Sequence, residues 1–440
     1  MNESNKSDWA TYFLGNLAEC RRGITYTSTM LASARDGMPY INMKSFLKGG
    51  GFNAEGTKRY TGFYTPNDLV GERDLLLANT DVTSGDIVGV PALLPAELRA
   101  EKVLYSHHVT RLRLNGMVTT AFLYYLLCLP EYRSWMLKFA RGTTVLMLDM
   151  DALKRIPVQV PRKTVQQNLI TEILSTVDRT IEHTEELIVK YQRIKVGMMH
   201  DMFARGVAVD GRFLPTREEA PGLYKESPLG WIPKEWAVVT IEQCAAKAPG
   251  STTIGPFGSD LLISDYRAEG APVIFVRDIK EGSFEWNSNV YVTLEKARRL
   301  SAHAVKSGDL LITKMGLPPC LACAYPSGCP TGIVTADVIR LRPHVAGIDS
   351  RWLAAALNSD SFKRQVRSIT AGVTRPKVTL SDFRKLLLAR PSKEEQTRMA
   401  DRLDSVSQIL VNELLRLQNL QAQRLGLMHD LLTGRVPVNG

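Results

Sequence analysis

A chain of 440 residues is too long for one ordinary hydrophobic core, so two or three domains are expected. An apolar fraction of 44% with 23% charged residues excludes a disordered or fibrous chain, and six scattered cysteines do not suggest a disulfide scaffold. The formal net charge of +10 leaves a polyanionic partner open, while the longest apolar run, Ala121 to Leu129, falls far short of the ~20 residues a membrane span needs.

The chain opens on a polar stretch, MNESNKSDW, without the apolar run of a signal peptide, and a cytoplasmic protein is expected. Residues 1–160 read as a first globule. Strand-like runs at Pro39–Met43 and Val103–Leu114 are bounded by turn glycines such as Gly37 and Gly49-Gly50-Gly51, and a helix is expected over Thr119–Leu129. Residues 161–207 hold a proline-free stretch from Gln167 whose apolar positions recur at alternating steps of four and three. The seam runs Ile170, Leu174, Val177, Ile181, Thr184, Ile188, Tyr191, Lys195, Met198, Met202. A 3.5-residue repeat is a coiled-coil seam, and about 35 residues at 1.5 Å rise make a rod of roughly 50 Å.

Residues 208–235, rich in Gly, Pro and charge, read as a connector. A second globule spans 236–390, with strands expected at Val273–Arg277, Asp309–Lys314 and Val334–Leu341, and helices at Arg351–Asn358 and around Ser361–Ser368. Residues 391–440 form a second rod with the seam Met399, Leu403, Val406, Leu410, Glu413, Leu417, Leu420, Arg424, Leu427, Leu431.

The two rods are copies. Shifted by 229 residues they align without a gap, sharing Gln167/Gln396, Leu174/Leu403, Gly197/Gly426 and Met-His-Asp at 199–201 and 428–430, although Arg205-Gly206 is inverted against Gly434-Arg435. The globules repeat as well. Trp9-Ala10 answers Trp236-Ala237, Asp74-Leu-Leu-Leu77 answers Asp309-Leu-Leu-Ile312, and Val109-Thr-Arg111-Leu-Arg113 answers Val338-Ile-Arg340-Leu-Arg342. The expected fold class is therefore α+β: two mixed α/β globules separated by two long antiparallel coiled-coil helices, with an internal pseudo-two-fold axis.

Charge divides unevenly over this plan. Residues 1–160 carry 18 Lys/Arg against 15 Asp/Glu, and 236–390 carry 20 against 13, whereas 161–206 and 391–435 hold 7 against 6 and 6 against 6. A polyanion would be gripped by the globules and not by the rods.

Enzyme signatures are absent or poor. The stretch Gly250-Ser-Thr-Thr-Ile-Gly255-Pro256 lacks the lysine of a phosphate-binding loop, and no Asn-Pro-Pro-aromatic stretch offers a flipped-base site for amino methylation. Asp278-Ile-Lys280 with Asp265 imitates a metal-nuclease triad, but three such residues recur by chance in a basic chain. Cys320-x-x-Cys323-x5-Cys329 is metal-like, with His303 or His344 as a fourth ligand, yet it has no second tight pair and no counterpart in globule one; no metal site is assigned. Within Met-His-Asp, adjacent helix residues point about 100° apart, so His200 and Asp201 should not face one another. A rod end that packs or docks a partner is favoured for His200, Asp201, His429 and Asp430.

At Gly255-Pro-Phe-Gly-Ser259, Asp265-Tyr266, Gly270-x-Pro272 and Arg277-Asp278-Ile279 the chain resembles the specificity subunits of bacterial type I restriction–modification enzymes. Ser227-Pro-Leu-Gly-Trp-Ile-Pro-Lys-Glu-Trp236 and Pro391-x-x-Glu-Glu-Gln396 resemble the same family, as does the doubled order of globule and rod. In globule one Arg22-Gly-Ile-Thr-Tyr26 fits, but the Gly-Pro-Phe-Gly-Ser loop is missing. The resemblance implies a non-catalytic reader of double-stranded DNA whose two target-recognition domains each bind half of a bipartite site, with the rods as ruler. It implies as partners two methyltransferase subunits, which use S-adenosylmethionine to methylate adenine, and motor-nuclease restriction subunits. No cofactor is expected on this chain; S-adenosylmethionine, ATP and Mg belong to those subunits. No membrane partner is expected.

Loop residues of basic or amide character near the shared motifs are the expected DNA contacts: Arg21, Arg22, Thr25, Lys44 and Arg141 in globule one, and Ser259, Arg277, Thr374, Arg375 and Lys377 in globule two. Two other readings stay open on residues alone. One is a self-contained metal-dependent endonuclease; the other is a duplicated scaffold for protein partners.

Overall fold

In the computed structural model, which describes residues 8–32, 36–81, 86–372 and 374–438, the two seams become two uninterrupted helices, Thr164–Arg205 and Lys393–Leu432. Every seam position on both helices is buried or half-buried, including the polar breaks Thr184, Glu413, Lys195 and Arg424. The chain divides into two units. The first takes residues 1–186 with 415–440, and the second takes 187–414. Each unit is thus one globule with the start of one long helix and the end of the other.

In the first unit the helix pieces run antiparallel. Asp178 meets Arg424, while Ile170 and Leu174 share a core with Met428, Leu431 and Leu432. The second unit repeats this with roles exchanged: Met202 and Val207 pack with Met399, Ala400 and Leu403. A short strand pair closes each globule against its rod, Trp9–Phe13 with Pro157–Pro161 and Ala237–Thr240 with Leu387–Arg390, both antiparallel.

The entry to each rod is locked by a buried glutamine. The Gln167 side-chain oxygen accepts from Thr119 N–H, and its amide donates to the carbonyls of Met117 and Pro161. Gln396 does the same with Asp349 N–H and the carbonyls of Gly347 and Pro391. A buried amide needs its bonds met, so these residues hold each rod start in one orientation. The rod ends match too. Gly206, φ 80°, packs on Trp236 and Gly434, φ 67°, packs on Trp9, so the helix-ending glycines correspond at an offset of 228. The inversion seen at an offset of 229 arises because the ending glycine comes one residue earlier in the second rod.

Both globules share one sheet plan. The main sheet is antiparallel, in the order Ala18–Arg22, Val109–Leu114, Asp74–Ala78, Pro91–Ala92 in the first unit, and Thr252–Ile254, Val338–Leu341, Leu310–Thr313, Ala322–Ala324 in the second. A second sheet contains a parallel pair, Met38–Ile41 with Leu104–Tyr105 in the first unit and Ala271–Ile274 with Gly332–Val334 in the second. The runs read as single strands, Val103–Leu114 and Val334–Leu341, are therefore each broken, at 106–108 and 335–337, where the chain leaves one sheet for the other. Likewise Val273–Arg277 is strand only to Ile274, and then a 3-10 turn over Val276–Asp278.

The expected helices stand at Thr120–Cys128, Ser350–Leu357 and Asp360–Ile369, and a further one spans Pro130–Lys138. The connector carries a hairpin, Tyr224–Ser227 with Gly230–Pro233. Among the described residues no helix is long and apolar enough to cross a membrane.

Candidate nucleic-acid interface

The sheet switch decides where each globule presents its loops. In the first unit Ile24 N–H donates to Tyr105 carbonyl, Ser106 N–H to Ile41 carbonyl, and Asn79 N–H to His108 carbonyl. These bonds tie together the ends of four strands at one edge. A hairpin, Ala140–Arg141 with Leu146–Leu148, joins them: Leu148 N–H donates to Asn79 carbonyl, and Arg22 reaches Leu148 carbonyl at 3.3 Å. In the second unit Gly255 N–H donates to Thr335 carbonyl, Thr335 N–H to Ile274 carbonyl, and Lys314 N–H to Asp337 carbonyl. Pro376 and Val378 close the edge through Val378 N–H to Lys314 carbonyl and Gly316 N–H to Pro376 carbonyl.

One glycine makes each edge possible. A Cβ on Gly23 would sit 2.0 Å from Tyr105 carbonyl oxygen, and one on Gly255 would sit 2.1 Å from Val334 carbonyl oxygen. The Gly-Pro-Phe-Gly-Ser loop is thus only partly missing from globule one, since its first glycine has a structural counterpart in Gly23. The Arg22-Gly23-Ile24 run carried that signal.

The expected contact residues fall mostly on these edges. Arg22, Thr25 and Arg141 lie on the first unit's strand-end loop and hairpin, with Lys44 on the turn after Met38–Ile41; Arg141 is exposed and pairs with Asp149 at 2.8 Å. Arg21 faces elsewhere, its guanidinium held 3.1 Å from Asp68. In the second unit Ser259, Thr374, Arg375 and Lys377 are exposed on the loops. Arg277 is exposed, lies 4.6 Å over the Phe275 ring and donates to Ser288 Oγ at 2.8 Å. Composition could not separate these from arginines that serve the fold. Arg113 and Arg342 pair with Asp74 and Asp309, and Arg111 and Arg340 are buried in the central strands, so part of the basic excess is internal.

Residues without a sequence assignment fill the floor of both edges. In the first unit these are Tyr26, His107 and His108, with Tyr26 6.0 Å from His107, and His108 Nδ1 2.9 Å from Thr80 Oγ1. Burial, and then the neighbouring His107, holds His108 below the ordinary imidazole range. In the second unit the Lys314 ammonium stands 5.1 Å over the ring of Phe257.

The metal-like motifs do not assemble. Asp278 is buried and accepts from Phe275 N–H, Asn287 N–H and Ser288 Oγ, while Asp265 pairs with Lys296 at 3.0 Å. Cys320 and Cys323 point into different cores and burial pushes both thiols up to about 12. Among the described residues no three His, Cys, Asp or Glu side chains gather as a metal site. His200 corrects one expectation: the Nδ1 of its exposed imidazole lies 3.7 Å from Asp201 Oδ1. At the other rod end His429 approaches Glu131 at 3.6 Å instead.

Fold and loop edges together define a duplicated α+β protein in which each globule gathers loops at the ends of its strands. Residues 6–191 match the family model described as the type I restriction modification DNA specificity domain. The chain is 22% identical over 375 residues to the type I restriction enzyme MjaVIII specificity subunit of Methanocaldococcus jannaschii, covering 84% of this chain and 80% of that one. It is 23% identical over 437 residues to the EcoBI specificity subunit of Escherichia coli, covering 94% and 83%. The fold matches the crystal structure of a type I restriction–modification S subunit from M. genitalium, with a TM-score of 0.56 at 15% identity over 98% of this chain and 97% of that one. A second solved structure, of a type I restriction–modification system, gives 0.57 at 15% identity over 97% of each. Over residues 6–191 the chain thus matches the type I specificity-domain model, and over most of its length it is similar to the specificity subunits of type I restriction–modification systems.

Proposed function

We propose that this chain is the DNA-reading subunit of such a system, non-catalytic itself, with each globule reading one half of a bipartite duplex target through its strand-end loops. The observation that carries this reading is the pair of equivalent loop edges, built by the same backbone bonds and furnished with different side chains. A shared frame with unlike contacts suits two different half-sites. Exposed Arg141, Arg375, Lys377 and Lys44 would position the duplex through phosphates, and base-edge contacts would specify the sequence.

The rods act as spacer and dock two methyltransferase subunits, with His200, Asp201, His429 and Asp430 at the docking ends. Motor-nuclease subunits complete the assembly, and S-adenosylmethionine, ATP and Mg act on those partners. The test is methylome sequencing of cells carrying the chain with its methyltransferase, paired with a salt titration of duplex binding by the purified chain. A bipartite methylated motif is expected, with affinity falling by about a thousandfold or more between 50 and 200 mM salt for 6–10 phosphate contacts. A uniform methylation pattern, or no duplex binding at low salt, would overturn the reading.

A further inference from the structure

Position 314 sits at the centre of the second unit's loop edge, where the strand Leu310–Thr313 ends. Its backbone is pinned on both sides, by Lys314 N–H to Asp337 carbonyl at 2.8 Å and by Val378 N–H to Lys314 carbonyl at 3.0 Å. The next residue, Met315, bridges to Lys377. The first unit has the same frame at Asn79, with N–H to His108 carbonyl at 2.7 Å and Leu148 N–H to its own carbonyl at 2.8 Å. Since asparagine serves that frame equally well, the lysine side chain is not what holds the strand end in place.

The ammonium of Lys314 is also uncommitted. It is half-buried and lies 5.1 Å over the Phe257 ring; among the described residues no carboxylate or carbonyl holds it. Several other cations of this globule are engaged, with Arg277 on Ser288, Arg342 on Asp309 and Arg384 on Thr252 carbonyl. Phe257 is itself 59% exposed, an aromatic face left open to solvent with a cation lying on it. A half-buried ammonium among convergent loops retains unused donors, and a ring beneath it restricts where they point. The solvated rim, Arg375 and Lys377, suits phosphates; a cation set on the floor suits a base edge.

We propose that Lys314, steered by Phe257, is a specificity-determining residue of the second globule and reads the O6/N7 edge of a guanine in the major groove. This rests on the DNA-reading function proposed above and adds a residue and a base to it. Lysine has donors only, and guanine presents two acceptors on that edge, whereas adenine sets a donor beside its acceptor.

The test is selection of binding sites from a random duplex library by the full chain, as wild type and as K314A, K314R and F257A, each checked for an unchanged thermal midpoint. Wild type should select a bipartite motif with a guanine in one half that K314A stops specifying, with a roughly tenfold to hundredfold loss of discrimination at that position alone. K314R should keep the guanine, F257A should blur the same position, and the other half should be unaltered in every variant. In a second arm needing no variant, 7-deazaguanine is placed at each guanine of the selected duplex and should weaken wild-type binding at that position. A K314A motif identical to wild type, a uniform loss over all sequences, or insensitivity to 7-deazaguanine at every guanine overturns the assignment while leaving DNA reading intact. Failure of wild type to select any motif would instead sink the DNA-reading function itself.

Discussion

His108 shows what burial does to one residue at the loop edge, and it yields a pH dependence. Its folded pKa lies below the ordinary 6.5, with burial the larger cause and His107 the smaller. The unfolded chain therefore binds this proton more readily than the folded one, and stability contributed here is present above pH 6.5 and falls as pH drops below it. H108Q, which retains a hydrogen-bonding partner for Thr80, should lose less thermal stability than wild type between pH 7.5 and pH 5.5, read as midpoints of unit unfolding. Equal losses would mean the imidazole titrates alike in both states. Residues of this kind were poorly legible in the sequence. His107 and His108 stand inside a run whose apolar pattern reads as one strand, and only the sheet switch at 106–108 turns them onto the edge. Lys314 was hidden in the same manner, as the last residue of an expected strand. Arg21, basic and next to a motif, is paired with Asp68, a contact its place in the sequence does not reveal.

Secondary structure was legible wherever a period was long. Both rods follow from their 3.5 repeat, and the helix at Thr120–Cys128 lies within the expected Thr119–Leu129. The helix at Pro130–Lys138 escaped because Pro130 reads as a terminator, although proline at a first helical position has no N–H to waste. The connector hairpin escaped because its Gly, Pro and charge imitate a linker. Glycine offers a direct test at this scale. Gly197 and Gly426 lie inside the rods, where an added Cβ meets nothing within 4 Å; Gly206 has φ 80°, and its Cβ would lie 2.5 Å from a Glu395 carboxylate oxygen and 3.0 Å from Trp236. G197A and G426A should each stabilise the chain by about 0.5–1 kcal/mol, since alanine loses less backbone entropy in a helix. G206A should destabilise it by roughly 1–2 kcal/mol, the cost of a side chain in the left-handed region, before any clash is counted. Denaturant midpoints compare all three. A loss in G197A as large as that in G206A would show that the rod face at 197 is covered in solution.

Duplication sets the behaviour of the molecule as a whole, and it was the most legible property, because a repeat is read from residue identities without knowing any contact. The seam residues are buried or half-buried along the full length of both helices, so any change in rod length must keep the seam in phase. Adding one seven-residue heptad after Ile181 and one after Leu410 keeps that phase, because both helices gain the same whole repeat. Each helix then grows by roughly 10 Å at 1.5 Å per residue. If the rods measure the gap between half-sites, as proposed, 10 Å corresponds to about three base pairs at 3.4 Å per step. Three base pairs also turn the duplex by roughly 100° at about 10.5 per turn, which carries the far half-site away from its reader. The double insertion is therefore expected to fold with a thermal midpoint near wild type, to lose methylation of the original site, and at best to accept a site with a longer gap. A matched deletion of one heptad from each rod should fail in the opposite sense, and an insertion in one rod alone should disturb folding, because the two seams no longer match in length. Wild-type methylation of the original site by the doubly lengthened chain would show that the rods do not set the spacing.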